Sequence, residues 1–220
     1  AAPRICDPLC APLRRASAGS IAPQFGAPPS LASLAMPAPS PVSAVAGVLQ
    51  SACVVGVSGS RAAGPGCLRA VAWAVGQLAP GATVVTGCAS GIDRVARGVS
   101  SALVFRAARF GRGRGSFARR SIAVVRRVAG AGGAGTGPQS ALWVSAPGRA
   151  CPRGLAPSRS SSACFAGFGS GSWASLALAL GLGVPALVWL PAGTTPPQGW
   201  GLSLVCAGRG GAWWGTPEMA

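Results

Sequence analysis

This chain predicts an α/β fold, a doubly wound parallel sheet with helices on both faces. Three segments carry that expectation: CVVGVSGSR (Cys53–Arg61), TVVTGCASGIDRVAR (Thr83–Arg97) and ACFAGFGSGSWASLALALGLGVPALVWLP (Ala163–Pro191). Each is a short apolar or β-branched run, then a loop of Gly and Ser, then a stretch compatible with a helix. Repetition of that unit places successive helix N-termini at one edge of a parallel sheet, the Rossmann-like arrangement. Backbone N–H groups exposed at such an edge suit a phosphate-bearing ligand.

The elements follow in order. Residues 1–50 are rich in Pro, Ala and Ser, as in Pro37-Ala38-Pro39-Ser40-Pro41, and show neither helical nor strand period. They are expected to be a disordered extension. The folded domain is expected over residues 52–195. Cys53–Val57 is the first strand, and Leu68, Val71, Ala72, Val75 and Leu78 fall at helical spacing, with Pro80-Gly81 as the stop. Thr83–Thr86 is the second strand and Ile92–Ser100 begins the second helix. Ala102–Phe105 is a short strand. Ser116 can cap a helix over Phe117–Ala129 that sets Ile122, Val125 and Val128 on one side. Gly130–Gly137 reads as a turn, Ala141–Ser145 and Ala163–Ala166 as strands, Trp173–Leu182 as a helix and Ala186–Leu190 as the next strand. Residues 196–220 form a Gly/Trp-rich tail with at most one more strand, Leu202–Cys206. Residues 172–190 are apolar enough to span a membrane, but Gly181, Gly183 and Pro185 interrupt them. A helix followed by a buried parallel strand accounts for the same residues.

Composition removes whole chemistries. Half of the 220 residues are hydrophobic, enough for a core, while charged residues are only 10% against an ordinary share of about a quarter. The 19 basic residues are all Arg, there are three acids (Asp7, Asp93 and Glu218), and His and Lys are absent. Without His there is no Ser-His-Asp or Cys-His machinery. Without Lys there is no Walker A lysine. Three scattered acids do not form a carboxylate pair. The net charge of +16 attracts polyanions, although Arg without Lys beside many Ala, Gly and Pro also fits a GC-rich coding bias. Eight Cys are present; Cys6 and Cys10 lack a second pair that would support zinc, and Cys53, Cys88 and Cys164 read as small buried apolar residues of the domain, reduced in a cytoplasm. The chain opens on Ala, as a fragment or processed form would, and its first residues lack the continuous apolar stretch of a secretory signal.

The candidate site residues lie in the loops. Gly59, Ser60 and Arg61 combine close backbone approach, a hydroxyl and a guanidinium that forks onto phosphate. Gly87, Cys88, Ala89 and Gly91 form a small-residue nest before Asp93. Asp93 suits two roles: accepting from a ribose hydroxyl or base amine, or serving the helix dipole or pairing with Arg94 or Arg97. Gly169, Ser170, Gly171 and Ser172 precede a helix and differ from the dinucleotide fingerprint, which disfavours an ordinary NAD dehydrogenase. Arg119 and Arg120, with Arg112 and Arg114, are placed to embrace phosphates or to form a solvated basic face.

Taken together these loops resemble the SLOG superfamily of Rossmann-like proteins, which includes the DNA-processing DprA (Smf) proteins and the Lonely Guy (LOG) phosphoribohydrolases. The resemblance runs from about Ala52 to Pro191. Val55–Arg61 is similar to the G-S-R element of DprA-like proteins, Thr86–Ala96 (TGCASGIDRVA) to their S-G-x-A-x-G-I-D-x-x-A element, and Gly169–Ser172 to their late G-S-G-[ST] loop. Gly115–Val125 is similar to the Arg-bearing helix of smaller SLOG proteins. Arg97 stands where DprA-like proteins usually carry His, and the Glu of the LOG signature has no counterpart in Gly169–Ser175. The resemblance implies a nucleotide or single-stranded DNA bound at the sheet edge and, in DprA-like proteins, DNA handling. With the glycine loops, the excess of Arg and the missing catalytic groups, the expected function is a non-catalytic module that binds phosphates there, without a cofactor or metal, in DNA processing in a bacterial cytoplasm. A homo-oligomer is compatible with it. The alternatives are a nucleotide-hydrolysing LOG-like enzyme with Asp93 as its catalyst, and a membrane-associated protein built around residues 172–190.

Overall fold

The computed structural model describes residues 41–113, 115–132, 141–208 and 210–217. Seven strands form a single sheet in the order β3-β2-β1-β4-β5-β7-β6. They are β1 (Val54–Gly59), β2 (Thr83–Gly87), β3 (Ala102–Phe105), β4 (Ala141–Ala146), β5 (Ala186–Pro191), β6 (Ser203–Gly208) and β7 (Gly211–Gly215). The first five are parallel to their neighbours, while β7 pairs antiparallel with both β5 and β6. Among the described residues the α-helices are α1 (Pro41–Ser51), α2 (Pro65–Gly76), α3 (Ile92–Ala96), α4 (Gly115–Gly132), α5 (Ser161–Cys164) and α6 (Gly171–Gly181), and Ala107–Phe110 is a 3-10 turn. The expected doubly wound, Rossmann-like α/β fold is therefore the one observed.

Strand alternation sorts the core into two layers. Val55, Val57, Leu142, Val144 and Leu187 face α1, α2 and α3, whereas Trp143, Ala186, Val188 and Leu190 face α4 and α6. Because the sheet is covered on both sides, β4 is buried along its whole length and β5 along nearly all of it, which is why both read as continuous apolar runs. The chain winds outward from β1 to β2 and β3, then returns to β4 on the other side of β1. That reversal makes the crevice beyond the ends of β1 and β4 the topological switch point, where open α/β sheets bind ligands.

Four local expectations are corrected. Residues 1–40 lie outside the described residues, but the last part of the expected disordered extension is helix α1. Val45 and Leu49, one turn apart, are buried with Ala52 against the domain, so tertiary packing stabilises a helix whose own propensity is weak. The expected strand at Ala163–Ala166 is the end of the one-turn helix α5, with the Ala163 N–H donating to Ser160 Oγ at 3.4 Å. A four-residue apolar run suits either state, and β4 already occupies the sheet position between β1 and β5. The tail supplies two strands where at most one was expected; in β7, alternation sends Trp213 into one layer and Trp214 toward the other. Finally, Cys53 is exposed, while Cys88 is half-buried and Cys164 is buried.

Residues 172–190 divide between α6 and β5, and among the described residues no helix is long and apolar enough to cross a membrane.

Gly56 shows how tightly the layers close. It sits beside Trp143 in the β1–β4 register, and a Cβ there would collide with the Trp143 ring and with a Val128 methyl. Overpacking of a closed core costs about 1–3 kcal/mol, so Gly56→Ala is expected to destabilise the protein by that amount in urea unfolding. A change within about 0.5 kcal/mol, the usual scatter of neutral surface substitutions, would show that the Trp143 ring has room to shift.

Candidate functional site

The parallel strands end on one edge, and α2, α3, α4 and α6 all start there. The loop after β1 is held by its neighbours on both sides. The Ser60 N–H donates to Ala146 O at 3.0 Å, the Ile92 N–H donates to Ser60 O at 3.2 Å, and Ser90 Oγ donates to Arg61 O at 3.2 Å. Gly59 and Gly91 are glycines for this reason. A Cβ on Gly59 would meet Ile92 and the Ala146 carbonyl, and a Cβ on Gly91 (φ +67°) would meet the carbonyls of Ser60 and Arg61. Their small size serves close approach of loop to loop.

The loop Gly87–Gly91 is organised by buried charge. The Asp93 carboxylate lies 3.0 Å from Arg120 Nη1, and the same oxygen accepts the Ala89 N–H at 3.1 Å. Arg97 reaches back from the end of α3 and donates through Nη1 to Ala89 O at 2.8 Å and Gly87 O at 3.2 Å. Arg120 comes from α4 in the opposite helical layer, and it passes over Gly87, where any side chain would collide with its guanidinium. Cys88 accepts the Ala107 N–H at its sulfur, at 3.2 Å, which ties the loop to the segment after β3. Asp93 and Arg120 are both buried, at 3% and 7% exposure. The structure pairs Asp93 with Arg120 of α4 and not with Arg94 or Arg97 of its own helix, because Arg97 turns to the loop carbonyls. Arg119, adjacent in sequence to Arg120, is exposed and donates Nε to Phe110 O at 2.7 Å.

The late glycine loop joins the same edge through a residue that the sequence reading passed over. Arg149, beyond the end of β4, donates Nη2 to Gly169 O at 2.6 Å, and its own carbonyl accepts the Trp173 indole N–H at 2.8 Å. Gly148 lies against the Ser60 side chain, so the loops after β1 and β4 touch. Ser170 occupies the N-cap of α6 without a side-chain capping bond; its hydroxyl lies 3.3 Å from that of Ser172, and Gly171 begins the helix. At the switch point the Ser58 and Ser145 hydroxyls are 3.5 Å apart. The signal for Arg149 was present as Ala146-Pro147-Gly148-Arg149, an apolar strand running into a Gly-Arg loop as at Val57–Arg61.

The candidate residues thus form a continuous band, with a buried scaffold (Gly87, Asp93, Arg120) and a solvent-facing part (Arg61, Arg119, Gly169, Gly171). Arg106, Arg109, Arg112 and Arg149 add to the exposed part, and Asp93, buried, is the sole acid among the described residues. Aromatic rings stand among these cations. Phe117, at 44% exposure, has the Arg61 guanidinium 5.9 Å from its ring centroid, and Phe105 stacks on Phe110 at 6.3 Å. Fold and site together define a Rossmann-like α/β protein with an arginine-lined edge. Comparison of the chain with protein-family models, with curated proteins and with solved structures returned no match.

Burial pushes Asp93 above the usual carboxylate range, against the pull of Arg120, the Ala89 N–H and Arg97. A carboxyl raised in the native state holds its proton to higher pH than in the unfolded chain. Its contribution to stability is therefore greatest below the ordinary Asp value and is lost as pH rises toward the native value. The stability of the wild type relative to Asp93→Asn is expected to fall from about pH 4 upward, measured by urea unfolding across pH; a difference that grows with pH would mean that Arg120 outweighs burial. Removing one partner of a buried pair costs about 3–5 kcal/mol, so Arg120→Met alone should destabilise more than Arg120→Met combined with Asp93→Asn. Additive costs in that cycle would show that the pair is not coupled.

Proposed function

We propose that the arginine-lined edge binds single-stranded DNA through its phosphates, without turnover. The observation that carries this reading is the row of exposed arginines along one sheet edge, unopposed by any exposed acid among the described residues. Such a row attracts a polyanion and releases its counterions. The row reaches from Arg106 after β3 to Arg149 after β4, three interstrand gaps. At about 4.8 Å each these gaps extend about 14 Å, longer than a single phosphate group. The exposed Phe117 ring beside Arg61 supplies a face on which a base can stack in any sequence context. The resemblance to DprA-like SLOG proteins points the same way. Binding without hydrolysis is favoured because the Asp93 carboxylate is buried and engaged by Arg120 and Ala89, so it is not presented to a leaving group. A small nucleotide seated at the Ser58–Ser145 crevice is the second reading, supported by the switch-point hydroxyls.

Fluorescence anisotropy of a labelled oligothymidine with the full chain tests the proposal. Binding is expected to weaken steeply with salt, and Arg149→Ala should flatten the salt slope by about 0.7, the change for one lost phosphate contact on a single strand. Phe117→Ala is expected to cost about 1–3 kcal/mol through lost stacking. Absence of DNA binding, with thermal stabilisation by a mononucleotide, would replace this reading by the second.

A further inference from the structure

At the far end of the sheet from β3, the layer that carries α1 and α2 forms an open cavity of about 300 Å³. It shares no residue with the arginine-lined edge. Val45 of α1, Arg69 and Trp73 of α2, Trp189 of β5, Cys206 of β6 and Trp213 of β7 line it. The indoles are in mutual contact, with Trp73 and Trp213 centroids 6.2 Å apart and Trp189 edge-on to Trp213 at 5.4 Å. Three indoles converge here, each from a different element, and leave a space walled by aromatic rings.

We propose that this cavity binds a small planar aromatic anion. Two observations specify that chemistry. The volume lies at the lower end of ligand-sized cavities, which range from about 300 to 1,000 Å³, and fits a fused-ring molecule rather than a polymer. Arg69 is exposed at the cavity wall, with no acid among the cavity residues to neutralise it, so it is available to a carboxylate or sulfonate. Flat apolar walls with one cation favour a ring that carries an acidic oxygen group over a neutral hydrocarbon.

The test is a titration of the full chain with 2-naphthoate, followed by indole fluorescence and by calorimetry, beside the neutral 2-naphthamide. Saturable quenching with one site per chain is expected, with naphthoate binding at least tenfold more tightly than the amide. Arg69→Ala is expected to remove that preference and leave amide binding unchanged. Arg127→Ala, an exposed arginine on α4, controls for the overall positive charge and should change neither ligand. Ala70→Phe, which fills the cavity from α2, should abolish binding of both ligands while circular dichroism stays that of the wild type. Non-saturable quenching, equal affinity for acid and amide, or full naphthoate affinity in Arg69→Ala would each overturn the proposal. So would sedimentation showing that a second copy of the chain occupies the cavity and excludes naphthoate.

Discussion

A carboxylate and a guanidinium taken out of water are each costly unless they meet, and Asp93 and Arg120 meet where the two helical layers come closest around the end of a strand. Asp93 lies on α3 in one layer and Arg120 on α4 in the other, and Arg120 reaches the carboxylate over Gly87 at the end of β2. Glycine at that position is thus a condition for the ion pair. The pair in turn positions the loop before α3, because the same carboxylate oxygen holds the Ala89 N–H while Arg97 holds the carbonyls on either side. The loop after β1 rests on this loop through Ile92 and Ser90. Loosening the pair would therefore reach the β1 loop and Arg61 without touching either directly.

The arginines divide by burial, and that division organises the edge. Arg120 and Arg97 are spent inward on carboxylate and carbonyl oxygens, while Arg61, Arg106, Arg109, Arg112, Arg119 and Arg149 remain exposed. Even exposed members are oriented, since Arg119 and Arg149 each donate to a backbone carbonyl of a neighbouring loop. A net charge of +16 alone says nothing of where a polyanion would lie. The exposed arginines at the strand ends stand beside Phe117, while Arg69, Arg126 and Arg127 are exposed elsewhere on the helices. The tryptophans follow the opposite rule: Trp143, Trp173, Trp189, Trp200 and Trp213 are buried, and their large apolar area closes the two core layers.

Much of the fold was legible because parallel strands covered on both faces leave continuous apolar runs. Cys53–Val57, Thr83–Thr86, Ala141–Ser145 and Ala186–Leu190 were legible as strands for that reason, and β1, β2, β4 and β5 match them to within two residues at each end. The failures share a cause. Val45 and Leu49 are a single i, i+4 pair, too short a signal to stand out within a Pro/Ala/Ser composition, and α1 exists because the domain offers those two side chains a surface. In the tail the sequence pointed to one strand, Leu202–Cys206, and the second strand of the hairpin, Gly211–Gly215, was hidden in a run of Gly and Trp with no β-branched residue. In the site, the glycine loops were visible as motifs, but their purpose was not. Gly59 and Gly91 serve contact between loops, a relation that no local pattern encodes. Arg149 was missed because the chain that follows it is irregular, and its partner Gly169 lies twenty residues on.

The sequence by itself determined the alternation of strand and helix, the loops that gather at one edge, and the chemistry withheld by the absence of His and Lys. These are local properties, set by side-chain periodicity, backbone freedom and residue type. The tertiary structure alone decided that β1 and β4 lie side by side, that Arg120 rather than Arg119 turns inward, and that Asp93 is sealed beneath it. Adjacent residues on a helix point about 100° apart, so which of two neighbouring arginines is buried depends on how the helix is rotated against the sheet. That rotation is set by Val124, Val125 and Val128 packing against the sheet and α6, a sum of contacts distributed over the whole fold.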